Sequence, residues 1–169
     1  MKHLKKMDTT KLKTGDILHC TSNRLISRMI RKFTKSKFSH SALYVEIDGT
    51  AYVIDAQKDG VNMRLFSRWQ AIYNYDYLVH RTSDLVFNPE IIVNRALSKC
   101  GTTAYDFEGL LWKQPIELAT GKWRKEKCEE CKMYCSEFVG WVWKADLSYR
   151  MSPQDLFEWC IKNNFTEVK

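Results

Sequence analysis

The sequence predicts an α+β fold, an antiparallel sheet packed against helices. Three observations carry it. The first half is rich in short, alternating β-type runs; two of those runs meet at Asp48-Gly49, a two-residue hairpin signal; and from residue 88 onward the apolar spacing becomes helical.

Taken in order, residues 14–20 (TGDILHC) read as a turn entering a short strand. Asn23–Phe33 follows as a helix, with Leu25, Ile26, Met29, Ile30 and Phe33 on one stripe and Arg24, Arg28, Arg31 and Lys32 around it. The ordinary expectation for such a helix is that the stripe packs on the domain and the basic back faces solvent; the alternative is a face for an anionic membrane surface, acidic polymer or nucleic acid. Phe38–Ala56 is the hairpin, and residues 61–67 and 75–82 are further strands separated by a helical turn, Ser67–Tyr73. Asn88 is placed to cap a helix that Pro89 opens. Later helices are expected over Tyr105–Leu118, Cys135–Lys144 and from Ser152-Pro153 to Lys162.

At 169 residues, 44% hydrophobic and 28% charged, the chain fits a single domain, 1–169, with enough residues to bury a core. Residues 1–13 form a basic N-terminal extension, and 119–133, polar and charged, read as an inserted loop. No apolar region follows the first charges and no run of about 18 apolar residues occurs, so neither a leader peptide nor a membrane span is expected, and the expected location is cytoplasmic. Of the net charge of +7, residues 1–40 hold eleven Lys/Arg against two acids. That patch carries no nucleic-acid fold signature, so nucleic acid is not an expected partner; the expected partner is a peptide, amide or lipid-linked small substrate, with an anionic surface met by the basic N-terminal region as the alternative.

Chemistry concentrates at the open end of the hairpin. A two-residue turn at Asp48-Gly49 pairs Ile47 with Thr50 and sets Asp55 opposite Ala42. Ala42 shares a face with His40, so His40 and Asp55 are diagonal neighbours within reach of a hydrogen bond. Leu43, Val45, Ile47, Tyr52 and Ile54 occupy the other, core face. An imidazole held by a carboxylate needs a nucleophile at its second nitrogen. Cys135 opens a helix, where the dipole and free N–H groups favour a thiolate. Cys20 follows a strand, and Cys100 and Cys160 fall at helix carboxyl ends, so they lack that setting. The plain alternatives are a buried structural Cys, a structural His and a capping Asp. Cys128 and Cys131 have zinc-ligand spacing, with Cys135 as a third thiol, but no second pair follows, and a charged loop is the simpler reading.

The run of short motifs, TGDILHCTS, a short helix, FSHSALYV, YVIDA, KDGV, YDFEGLLW, YCSEFV and SPQDL, resembles the permuted NlpC-type, papain-fold cysteine hydrolases of the YiiX-like branch, over about Thr14–Leu156. The order of the motifs, His on one strand, acid on the next and Cys late on a helix, gives the resemblance its specificity. It implies a circularly permuted papain-like fold and acyl chemistry in which Cys135 is the nucleophile, His40 the general base and then acid, and Asp55 the orienter of His40. The acid is Asp where the branch often has Glu, a shorter orienter that must sit closer. Gly15 and Asp16 carry over no catalytic role, and Tyr44, Tyr105 and Tyr134 are cleft or packing residues.

The expected activity is cleavage of a peptide or isopeptide-like amide bond through a thioester, with no cofactor and no metal. Lipid acyl transfer or hydrolysis at an anionic surface is the alternative, although Tyr134 stands where the lecithin:retinol acyltransferase-like branch has asparagine. A non-catalytic binding module on the same scaffold is the third reading.

Overall fold

In a computed structural model, the residues described are 9–84, 87–104, 132–145 and 151–169. After a short 3-10 turn at Thr9–Lys11 come β1 (Ile17–Thr21), α1 (Leu25–Thr34), β2 (His40–Ile47), β3 (Thr50–Gln57), β4 (Gly60–Leu65), α2 (Phe66–Tyr73) and β5 (Asp76–Thr82). Then follow α3 (Pro89–Lys99), α4 (Cys135–Val142), α5 (Pro153–Lys162) and β6 (Phe165–Glu167). The six strands form one sheet in the order β4-β3-β2-β1-β5-β6, with every neighbouring pair antiparallel.

The hairpin has the expected register: Ile47 faces Thr50 and Leu43 faces Ile54. Asp48 and Gly49 both have positive φ, 49° and 71°, which gives the hairpin a turn whose twist matches that of its strands. Alternation then sends residues to two buried faces. Ile17, Leu43, Val45 and Ile54 pack with Phe138, Val139 and Val142 of α4 and Leu156 and Cys160 of α5. Leu18, Cys20, Ala42, Tyr44 and Val53 pack with Phe66 and Trp69 of α2 and Tyr77 and Val79 of β5. Helices therefore cover both faces, and β1 is buried along its whole length.

Local signals at the helix starts hold. Asn88 accepts the Glu90 N–H at 2.9 Å, with Pro89 opening α3, and Ser152 accepts the Asp155 N–H at 3.2 Å, with Pro153 opening α5. Thr14-Gly-Asp16 is an anchor. Asp16 is fully buried and takes two 2.7 Å hydrogen bonds from Arg81 and one from the Lys13 N–H, while Gly15, at φ +96°, lies under Phe87.

Two features differ from the sequence reading. β6 was not expected; its three residues add an edge strand through Phe165. The apolar stripe of α1 is not packed away: Leu25 is 71% exposed and Ile26 53%, and only Ser27 of this helix is buried. Polar side chains hold α1 in place instead. Arg24 donates to the Ile72 carbonyl, Arg31 to the Thr21 hydroxyl, and the Ser27 hydroxyl meets that of Ser39. The helix expected over Tyr105–Leu118, Cys128, Cys131 and most of the 119–133 loop lie outside the described residues.

Candidate active site

β2 and β3 bring His40 and Asp55 together from positions fifteen residues apart. His40 Nε2 lies 2.8 Å from Asp55 Oδ2. His40 is 5% exposed and Asp55 is fully buried. Three more donors converge on the same carboxylate: Gln57 Nε2 at 2.7 Å and Trp69 Nε1 at 2.9 Å on Oδ2, and Arg64 at 2.8 Å on Oδ1. Arg64 also pairs with Asp59, which fixes the guanidinium from the solvent side.

The sequence pattern places these partners in retrospect. Gln57 is two residues beyond Asp55 on the same strand face, and Arg64 is opposite Val53 on β4, diagonal to Asp55. Trp69 and Tyr75 carried no such signal, because α2 and the start of β5 reach the hairpin only through tertiary folding. Tyr75 stacks on the His40 ring, with centroids 5.2 Å apart and planes 14° from parallel.

The electrostatics follow from burial and partners. For Asp55, burial works against the charged form, but the hydrogen bond and charge of His40, with the Trp69 and Gln57 donors, hold its pKa below the usual aspartate value. For His40, burial also opposes charge, yet Tyr75, Cys135 and Asp55 outweigh it and hold the pKa well above that of an ordinary histidine. Burial raises the Tyr75 phenol, which is therefore neutral at pH 7. At that pH the Asp55 carboxylate is what supports the imidazolium.

Cys135 is the first residue of α4 and 5% exposed. It contributes to the upward shift of the His40 pKa, which places its thiol near the imidazole. Asp55 occupies Nε2, so Nδ1 is the nitrogen left for the thiol. The helix start is fixed on both sides: the Glu137 carboxylate accepts the Tyr134 N–H at 2.9 Å, and the Ser136 hydroxyl donates to the Met151 carbonyl at 2.6 Å. The first N–H groups of α4 have no acceptor within the helix, as at any helix start. Cys20 is opposite His40 in the β1–β2 register, but its thiol donates to the Leu18 carbonyl and burial pushes its pKa far up.

Of the tyrosines, Tyr44 packs edge-on against Phe66, Tyr134 caps α4, and Tyr105 is outside the described residues. A cavity of about 400 Å³ opens beside His40, lined by Gln57, Tyr73, Tyr75, Ile72 and the α1 residues Ile26 and Ile30. Among the described residues one group could hold a metal, His19, His80 and Cys160, and β1 carries His19 on the face opposite to Cys20 and His40.

A family model described as a permuted papain-like amidase enzyme, the YaeF/YiiX, C92 family, matches residues 11–167. Metalloprotein yiiX from Escherichia coli O157:H7 is similar in structure, with a TM-score of 0.57 at 20% identity over 93% of this chain and 96% of that one. No curated protein matches the sequence.

Proposed function

The chain belongs to the permuted papain-like amidase family of YaeF and YiiX, and from that premise we propose that it cleaves an amide bond through Cys135, His40 and Asp55. The observation that carries this reading is the buried 2.8 Å contact between His40 Nε2 and Asp55 Oδ2, which leaves the other ring nitrogen for Cys135.

The chemistry is written in two halves. The Cys135 thiolate, paired with the His40 imidazolium, attacks the carbonyl carbon of the amide. The tetrahedral oxyanion accepts hydrogen bonds from N–H groups at the start of α4, the Cys135 N–H first among them. The C–N bond breaks as His40 hands its proton to the departing amine, leaving a thioester on Cys135. Neutral His40 then takes a proton from water as the water oxygen attacks the thioester; the C–S bond breaks, and acid and thiolate are released. Asp55 keeps its negative charge and fixes the ring orientation throughout.

Selective alkylation tests the triad. Burial raises the thiols of Cys20 and Cys100 and lifts that of Cys160 to about 12, so all three are poor nucleophiles near neutrality. Iodoacetamide at pH 6, with mass-spectrometric mapping, should label Cys135 first, and His40→Ala should slow that labelling at least about tenfold. Equal labelling of all cysteines, or no effect of His40→Ala, would remove the reading.

A second reading keeps the same residues but takes a lipid-linked substrate at an anionic membrane surface. It is favoured by one observation: exposed Ile26 and Ile72 line the cavity that contains His40, and exposed Leu25 precedes Ile26 on α1. Sedimentation with vesicles of anionic lipid at low salt, reversed at high salt, supports it; no binding favours an amide substrate in solution.

A further inference from the structure

We propose that His19, His80 and Cys160 form a binding site for one thiophilic divalent ion of the zinc class, which ties α5 to the centre of the sheet. The backbone sets this up. In the β1–β5 register Ile17 faces His80 and His19 faces Leu78, so the two histidines are diagonal neighbours on one face. Their facing nitrogens, His19 Nε2 and His80 Nδ1, are 3.1 Å apart. Cys160, in the last turns of α5, brings a sulfur to the same point, so that three donor atoms lie within 4.8 Å of one another. All three residues are buried, and Phe38 and Phe157 wall them in with ring contacts of 5.1 to 5.4 Å.

The spacing suits a metal. Tetrahedral coordination with metal–nitrogen bonds of 2.0–2.1 Å sets ligand atoms about 3.3 Å apart, close to the distance between the two imidazoles. Two imidazoles and one thiolate are a ligand set that zinc accepts, with a fourth position for water. As plain core the group is costly. The two rings share one hydrogen bond, and among the described residues His19 Nδ1 has no partner. Ser41, directly opposite His19 in the register, also has a buried hydroxyl with no partner among the described residues. Each buried orphan group loses its hydrogen bonds to water without replacement, a cost that apolar side chains of the same volume would avoid. Ligation turns both facing nitrogens into lone-pair donors and puts the proton of His19 on Nδ1. A metal-bound histidine passes that N–H to a neighbouring acceptor, and Ser41 is positioned across the strand pair to supply one. On binding, the Cys160 S–H bond breaks, an S–metal bond forms, and one proton goes to solvent.

No sequence spacing announces such a site, because its residues are 61 and 80 positions apart. The test uses the full chain, stripped with a chelator and titrated with Co(II) and then Zn(II). One ion per chain is expected, with a thiolate-to-cobalt charge-transfer band. Cys160→Ser should lose that band and bind about 100-fold more weakly or worse, since even indirect ligand partners cost 10–100-fold. A Cys128→Ser/Cys131→Ser double variant should leave both intact. Zinc-edge X-ray absorption on the wild-type protein, which needs no variant to fold, should show one sulfur and two imidazoles. Two or more sulfurs, a band that survives Cys160→Ser, or no stoichiometric binding would overturn the site.

Discussion

His40 is only one of four donors to the Asp55 carboxylate; Gln57, Trp69 and Arg64 supply the rest, from β3, α2 and β4. The carboxylate is thereby held from three sides, and His40 is stacked on Tyr75. Orientation of the imidazole is built into the sheet before any substrate arrives.

Asp55→Asn and Asp55→Ala should separate orientation from stability. The amide introduced by Asp55→Asn keeps the shape but presents a donor or a neutral acceptor to Nε2, so Cys135 labelling at pH 6 should fall by at least about tenfold while the protein stays folded. Truncation to alanine leaves the part-buried Arg64 without this carboxylate and should cost about 3–5 kcal/mol in urea unfolding. An alanine variant as stable as the wild type would mean that the donors re-pair with water.

The same pair sets a pH window. Asp55 is held below its ordinary value when folded, so its contribution is present above about pH 4 and is lost as pH falls through the native pKa. His40 is held well above its ordinary value, so its contribution is complete below about pH 6.5 and is lost as pH rises through the native pKa. The stability difference between wild type and His40→Gln, measured by urea unfolding, should therefore be greatest between about pH 4 and 6.5 and shrink on either side. A difference that is flat with pH would show that the pair is not ionised in the native state.

Much of this arrangement was legible along the chain because it rests on local rules. The Asp48-Gly49 turn dictates register, register puts His40 and Asp55 on one face, and the helix start at Cys135 follows from the break before it. What escaped was set by long-range packing. Trp69 and Tyr75 reach the site through the placement of α2 and β5, and His19 meets His80 only because β1 pairs with β5. The α1 stripe misled for a different reason. Amphipathic spacing says that a helix has an apolar face, not what that face meets, and here Arg24, Ser27 and Arg31 anchor the helix by polar contacts.

Two glycines with positive φ should respond differently to alanine. Gly49, at φ +71°, has nothing within 4 Å of an added Cβ, so Gly49→Ala should cost only the backbone strain, about 1–2 kcal/mol. Gly15, at φ +96°, would set its Cβ 2.6 Å from Phe87 Cζ and 3.2 Å from Trp143, two rings that are themselves stacked. Gly15→Ala adds overpacking to strain and should cost about 2–5 kcal/mol in all. Equal shifts in melting temperature for the two variants would contradict the close approach of Phe87.

The exposed face of α1 offers the sharpest separation of fold from function. Leu25 and Met29 are 71% and 41% exposed, so replacing both with serine removes little buried area and should change unfolding free energy by less than about 0.5 kcal/mol per site. If this face meets a membrane, the same double variant should release the protein from anionic vesicles, because each lost apolar contact weakens insertion while the basic residues Arg28 and Lys32 remain. Labelling of Cys135 by iodoacetamide in solution should be unchanged, since neither residue belongs to the His40–Asp55 pair. Vesicle binding that persists in Leu25→Ser/Met29→Ser but disappears in Arg28→Gln/Lys32→Gln would assign the attraction to charge alone and leave the apolar face without a membrane role.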